Sequence, residues 1–234
     1  MRASRPFLTA RWSELLIVTY EVPEALVRRH VHPSLEPDRW EGRTHASLVA
    51  FDFLETRVLG CAVPGLVSFP EVNLRTYVRL GGARGVVFIR ELVPSPVVAA
   101  VARLRYNEPY YAARMLSAVG DAAGELAAVR RWWWRGRAHT LAARSTGGAT
   151  VPDEGSVEHH FKEHAWGFGV TRAGRLRRYR VDHPVWSVRD VLELHCDVDF
   201  GQLYGPEWAP LTGATPASVV HAVGSAVAVF PPTP

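Results

Sequence analysis

The stretch from Ser68 to Gly81, S-F-P-E-V-N-L-R-T-Y-V-R-L-G, alternates strictly between two kinds of residue. Glu71, Asn73, Arg75, Tyr77 and Arg79 fall on one side, and Val72, Leu74, Thr76, Val78 and Leu80 on the other. Period-two alternation bounded by Pro70 and Gly81-Gly82 specifies a half-buried β-strand. The polar side is the informative one, because Asn and Glu are poor strand formers. A strand that needed only solubility would carry Thr, Lys or Ser there. Glu and Arg on one face, with an amide between and a phenol beyond, can converge on a small polar ligand inside a barrel. Taken alone, the same pattern fits a solvent-facing strand with a cross-strand ion pair.

The rest of the chain supplies more strands. Phe7 to Tyr20 reads as a first strand, Val22-Pro23-Glu24 opens a short helix to about His30, and Thr44 to Val58 is a second strand or strand pair. After the Gly81–Gly85 turn, Val86 to Val93 returns, so Ser68 to Val93 forms a hairpin. Ser95 caps a buried helix over Val97 to Arg105, with Pro96 at its first position. Leu126 to Trp134 and Gly136 to Arg144 pair as a hairpin, as do Phe161 to Thr171 and Arg175 to Val181. Pro184 to Leu194 is expected to hold a short helix, Cys196 to Tyr204 a strand, and the apolar tail before Pro231-Pro232 a last strand. No repeat or linker divides the chain, and residues 1–234 read as one domain, mainly β with a few helices.

Composition narrows the function classes. Hydrophobic residues make up 47% and charged residues 21%, as in an ordinary globular chain. The net charge of +4 is spread along the sequence and is nearly all arginine, with Lys162 the single lysine. Nucleic acid is therefore not expected as a partner, although Arg172 to Arg180 and Trp132 to Trp134 show a basic-plus-aromatic mix. Cys61 and Cys196 fit no paired spacing and are expected to be buried free thiols in a reducing cytoplasm. The N-terminal twelve residues lack the apolar core of a signal peptide, and no run is long enough for a membrane span. A cytoplasmic protein with no membrane partner is the expectation.

Several chemical motifs are absent or weak. His160-Phe161-Lys162-Glu163-His164 matches H-x-x-E-H, a zinc pattern that requires a helix. The following A-W-G-F-G-V argues for a strand, in which the two histidines would stand about 13 Å apart, so no metal is expected. An imine-forming lysine requires a desolvated pocket, and Lys162, beside Glu163, is expected to be exposed. No G-x-S-x-G elbow and no phosphate-cradling glycine motif occurs, and no nucleophile is paired with Asp52, Asp182 or His183.

Four segments in order, F-P-E-V-N-L-R-T-Y-V (Phe69 to Val78), A-R-L-R-Y-N-E-P-Y-Y-A-A (Ala102 to Ala113), F-K-E-H (Phe161 to His164) and D-H-P-V-W (Asp182 to Trp186), resemble the YqjF-like family of bacterial proteins. That family is grouped with the acetoacetate decarboxylase-like fold. The resemblance implies an antiparallel acetoacetate decarboxylase-like β-barrel with peripheral helices and an internal pocket. The decarboxylase forms a Schiff base through a lysine after Gly-x-Pro, whereas the similar stretch here is Glu108-Pro109-Tyr110-Tyr111. Its absence argues against decarboxylation through an imine.

On this reading the polar face of the central strand lines a pocket for a small anionic or carbonyl-bearing metabolite, with no cofactor. Glu71 and Arg75 are the candidate catalytic residues; Asn73, Tyr77, Arg103, Tyr110 and Tyr111 are the candidate ligand contacts. Arg75 and Arg103 offer bidentate forks to a carboxylate, and Glu71 offers an acid or base to a keto or hydroxy acid. The tail strand is free either to complete the sheet or to pair with another subunit, which leaves a homo-oligomer open.

Overall fold

The computed structural model describes residues 5–233, so the first four residues of the N-terminal stretch read above lie outside the described residues. β1 (Leu8–Glu21) leads into α1 (Glu24–His30), and the short strands β2 (Glu36–Pro37) and β3 (Arg39–Trp40) precede β4 (Arg43–Val58). β5 (Phe69–Leu80) and β6 (Ala83–Val93) form the expected hairpin around Gly81-Gly82. Ser95 caps α2 (Pro96–Val101) by accepting from the Val98 amide, and a π-helical turn (Ala102–Tyr106) continues it until Asn107 adopts a left-handed conformation. This helix is not buried: Val97, Val101 and Leu104 are exposed, and Ala99 packs inward.

β7 (Tyr110–Ala112), β8 (Arg114–Ala122), β9 (Glu125–Trp134) and β10 (Arg137–Thr146) follow. The next segment corrects the expected Phe161–Thr171 strand. Ser156 accepts from the His159 amide and starts α3 (Val157–Lys162), so the strand β11 (Trp166–Val170) begins only after the chain has turned extended at Glu163. β12 (Leu176–Asp182) is as expected. Pro184 to Leu194 is not a helix but contains β13 (Val188–Arg189) and the start of β14 (Val191–Asp197), where alternation of branched residues and pairing to neighbours prevail. The expected Cys196–Tyr204 strand stops at Asp197, because Asp199 caps α4 (Phe200–Tyr204) through the Gln202 amide. A 3-10 turn (Pro206–Leu211) precedes β15 (Ser218–Val229).

Among the described residues the strands form two sheets. The larger has the order β2-β5-β4-β1-β15-β12-β11-β6-β7, with β3 on β4 and β13 on β15. A further pairing of β5 with β6 makes β5, β4, β1, β15, β12, β11 and β6 a closed circuit. The tail strand β15 is thus paired within the chain, to β1, β12 and β13. β6 runs parallel to both β7 and β11, so the expected antiparallel sheet is corrected to a mixed one. The connection through α2 carries the chain back before β7 and makes that pairing parallel.

The second sheet, β14-β10-β9-β8, covers one face of the circuit. Leu16, Leu48 and Leu74 pack there against Trp132, Leu141 and Phe200. The other face carries a separate apolar cluster that includes Ile17, Val49, Phe51 and Trp186. A polar chain ties the sheets: Arg130 pairs with Asp52 at 2.9 Å, and His221 stands between Ser145 Oγ (2.8 Å) and Glu14 Oε2 (3.0 Å). Ser145 and His221 are fully buried, which makes this trio an inter-sheet tie rather than an accessible nucleophile. Both cysteines are free, but Cys61 is exposed and Cys196 half-buried, contrary to the expected burial of both.

Candidate functional site

Residues 71 to 78 of β5 are buried on both faces, which removes the solvent-facing alternative for Glu71, Asn73, Arg75 and Tyr77. Register sets the direction of the polar face. Phe51 lies opposite Glu71, Val49 opposite Asn73 and Ser47 opposite Arg75, so the polar side shares the face turned away from the second sheet. A bulge between Leu74 and Arg75 brings Glu91 of β6 opposite Asn73, and the parallel pairing of β7 brings Tyr110 beside Glu91.

These groups form an acidic cluster. Asn73 Nδ2 donates to Glu71 Oε1 at 3.0 Å and the Tyr110 hydroxyl donates to Glu71 Oε2 at 3.1 Å. Glu71 and Glu91 are each 2% exposed. Burial pushes the Glu71 carboxyl up to about 7, against the opposing pull of Asn73, Tyr110 and the Arg75 charge. Glu91 is held well above the usual carboxylate range, by burial and then by the neighbouring Glu71 and Glu108 charges. Burial also raises Glu108, although Arg177 donates to it at 3.2 Å. The Tyr110 and Tyr179 hydroxyls are held protonated by burial and by the surrounding carboxylates. Gly167 and Gly169 of β11 make room: a Cβ at Gly167 would strike the Tyr179 ring, and one at Gly169 would stand 3.1 Å from a Glu108 oxygen.

A basic cluster lies along the same strand face. Arg75 Nη2 donates to the Phe161 carbonyl at 3.0 Å, and the Tyr77 hydroxyl reaches the same oxygen at 3.3 Å. Arg84 donates to Asp38 Oδ2 at 2.6 Å, to His160 Nδ1 at 2.9 Å and to His164 Nε2 at 3.5 Å. The two histidines of the H-x-x-E-H pattern are therefore not far apart on a strand as expected, and their ring centroids are 6.4 Å apart. The Arg84 guanidinium contacts both rings, and a cation in that place opposes a metal ion. Lys162 is fully buried instead of exposed, with its Nζ 2.5 Å from Glu163 Oε1, because the last turn of α3 points into the fold.

Four of the sequence-derived residues thus share one buried face, Glu71, Asn73, Arg75 and Tyr77, and Tyr110 joins them through Glu71. Tyr111 and Arg103 are elsewhere. Alternation along β7 turns Tyr111 to the opposite face, where it packs against Trp134, and the exposed Arg103 lies 5.3 Å over its ring. Sequence reasoning missed Glu91, Glu108, Arg177 and Tyr179. The two alternating glycines in W-G-F-G-V were the available signal that bulky neighbours fill that face. Within the arginine run, Arg178 lies over Trp166 and Arg180 over Phe230, while Trp132 is buried. No helix among the described residues is long and apolar enough to cross a membrane.

Comparison with known proteins adds the family and the fold. The DUF2071 family, described as an uncharacterized conserved protein, matches residues 9–226. The uncharacterized protein YqjF of Bacillus subtilis (strain 168) is 33% identical over 107 residues, which are 45% of this chain and 44% of that protein. The chain thus aligns with less than half the length of this relative. Among solved structures, the acetoacetate decarboxylase of Legionella pneumophila matches with a TM-score of 0.64 at 14% identity, over 98% of this chain and 90% of that one. The enduracididine biosynthesis enzyme MppR in complex with pyruvate matches with a TM-score of 0.62 at 15% identity, over 99% and 91%. An acetoacetate decarboxylase-like enzyme from Sphingomonas wittichii RW1 matches with a TM-score of 0.59 at 12% identity, over 95% and 89%. With the family match spanning nearly all of a mainly β chain, the protein belongs to the DUF2071 family, as a YqjF-like member with an acetoacetate decarboxylase-like fold.

Proposed function

We propose that the closed strand circuit is a barrel whose interior binds a small acidic, carbonyl-bearing metabolite, with Glu71 exchanging a proton with the ligand. The observation that carries this reading is the Glu71 carboxyl itself. It is buried, held by Asn73 and Tyr110, raised to about 7 and accompanied by a second buried acid, Glu91. Neutral buried carboxyls and tyrosines are donors to a carbonyl oxygen, and Arg75 offers charge to a carboxylate. The bound pyruvate of MppR supports the ligand class by analogy of fold. The stretch that resembles the lysine-bearing segment of the decarboxylase, Glu108-Pro109-Tyr110-Tyr111, holds no lysine, and a tyrosine cannot form an imine, which speaks against a Schiff base there.

The test is calorimetry and thermal shift with pyruvate and acetoacetate. Saturable binding that survives in Glu71→Gln is expected, and failure of every small oxo acid to bind would overturn the reading. The pKa of Glu71 near neutrality also favours a catalytic version, in which Glu71 removes a proton next to the carbonyl. In heavy water the wild type would then place deuterium in the pyruvate methyl group, and Glu71→Gln would not. Equal exchange in the two proteins would remove Glu71 as the base, and exchange no faster than in buffer alone would leave binding without catalysis.

A further inference from the structure

In the H-x-x-E-H segment the second histidine is left with an unanswered donor. A guanidinium can only donate, so His164 Nε2, facing Arg84 at 3.5 Å, is the acceptor nitrogen of the ring. The neutral ring therefore carries its proton on Nδ1, and Nδ1 is buried with no hydrogen-bond partner. The Nε of Arg75 is likewise buried and unpartnered, while its Nη2 is anchored on the Phe161 carbonyl. Arg75 and His164 are 8% and 9% exposed, so water does not readily answer either group. Both lie against one ring: the Arg75 guanidinium carbon is 5.7 Å from the Tyr77 centroid, and the His164 ring is 4.9 Å from it. Two unpartnered N–H donors beside one aromatic ring constitute a cost in the empty protein that a ligand oxygen would relieve.

We infer that Arg75 Nε and His164 Nδ1 form the carboxylate subsite of the interior, taking the anionic end of a small 2-oxo acid whose carbonyl end faces Glu71. This inference rests on the binding function proposed above and adds the residue pair that selects for charge. The geometry is consistent at both ends, since Arg75 follows Asn73, which donates to Glu71, along the same face of the strand, and shares the Tyr77 ring with His164. The groups facing His164 are mostly cationic or basic: Arg75, Arg84, His160 and His183, with Tyr77 beneath it. Burial and those charges hold it well below the usual histidine range. A carboxylate placed between Arg75 and His164 offsets that repulsion.

The experiment compares pyruvate with methyl pyruvate, which has the same carbonyl and no charge, by calorimetry at pH 7. Pyruvate is expected to bind about tenfold or more tightly than the ester, the range of a charge-assisted hydrogen bond. In His164→Leu that preference is expected to fall severalfold, with Arg75 left to carry the remainder, whereas His164→Asn, whose amide N–H replaces Nδ1–H, retains it. Equal binding of acid and ester by the wild type would overturn the subsite and leave the pocket standing. Binding of neither would overturn both. The wild-type comparison needs no variant, so a substitution that fails to fold does not decide the outcome. Full retention of the preference in folded His164→Leu would assign it to Arg75 alone and remove His164 from the site.

Discussion

Glu71 is the residue at which fold and function make opposing demands. Its folded pKa of about 7 lies above the ordinary value of 4.5, so ionisation is easier in the unfolded chain. Below about pH 4.5 both states are protonated and there is no penalty. Between pH 4.5 and 7 the unfolded chain ionises first and stability falls; above 7 the whole penalty, about 3 kcal/mol, remains. Histidines act in the other direction: His160, depressed to about 4, costs stability as the pH drops below 6.5. Comparison with Glu71→Gln isolates the carboxyl. At pH 8 the variant is expected to melt roughly 5–10 °C higher than the wild type, and at pH 5 to differ by only about 1–2 °C. Thermal melts at the two pH values check this, and a difference that does not change with pH would contradict the raised pKa. The identity of this residue as special was legible from its neighbours, because Glu and Asn are out of place in a strand unless something buried uses them.

At the scale of elements, the hairpin of β5 and β6 was legible and its consequence was not. Continuing the register set at Gly81-Gly82 would bring Arg90 opposite Asn73 and turn Glu91 to the other face. The bulge at Leu74/Arg75 shifts the pairing by one and turns Glu91 inward. Nothing in the alternation of β5 announces that bulge. The helix α3 was misread because the glycines of β11 dominate the segment, although Ser156 gave a valid cap three residues before His159. Those glycines carry a prediction of their own. Gly167→Ala drives a methyl into the Tyr179 ring and is expected to cost about 1–3 kcal/mol in urea unfolding. The cost is expected to shrink when Tyr179 is also replaced by Leu. If it persists unchanged, the ring is not what requires glycine there.

For the whole molecule, the buried arginine joining the two sheets is the feature that sequence reading had least chance of finding. Arg130 is a mid-strand residue of β9 in a run, R-R-W-W-W, whose register decides which arginine goes inside. Here Arg130 is fully buried on Asp52 and the Glu14 carbonyl, and Arg131 lies over Trp133. Arg130→Met is expected to cost about 1–3 kcal/mol, because the half-buried Asp52 loses its charge partner and keeps the Ser117 hydroxyl. Arg130→Met combined with Asp52→Leu is expected to be less harmful than Arg130→Met alone, as urea unfolding of the three variants would show. The mixed topology was equally hidden, since the parallel partners of β6 are β7, reached through the α2 connection, and β11, far along the chain. What the sequence did carry to this scale was the family resemblance, whose segments recur in the two clusters along the polar face of β5.

The most direct test of the ligand-site account is a carbon-13 NMR titration of the glutamate side-chain carboxyls, with Glu71→Gln used to assign the Glu71 signal. A Glu71 midpoint near 7 that moves when pyruvate is added is the predicted result. A midpoint near 4.5, or one that no small oxo acid displaces, would contradict the claim that this carboxyl lies at the centre of a ligand site.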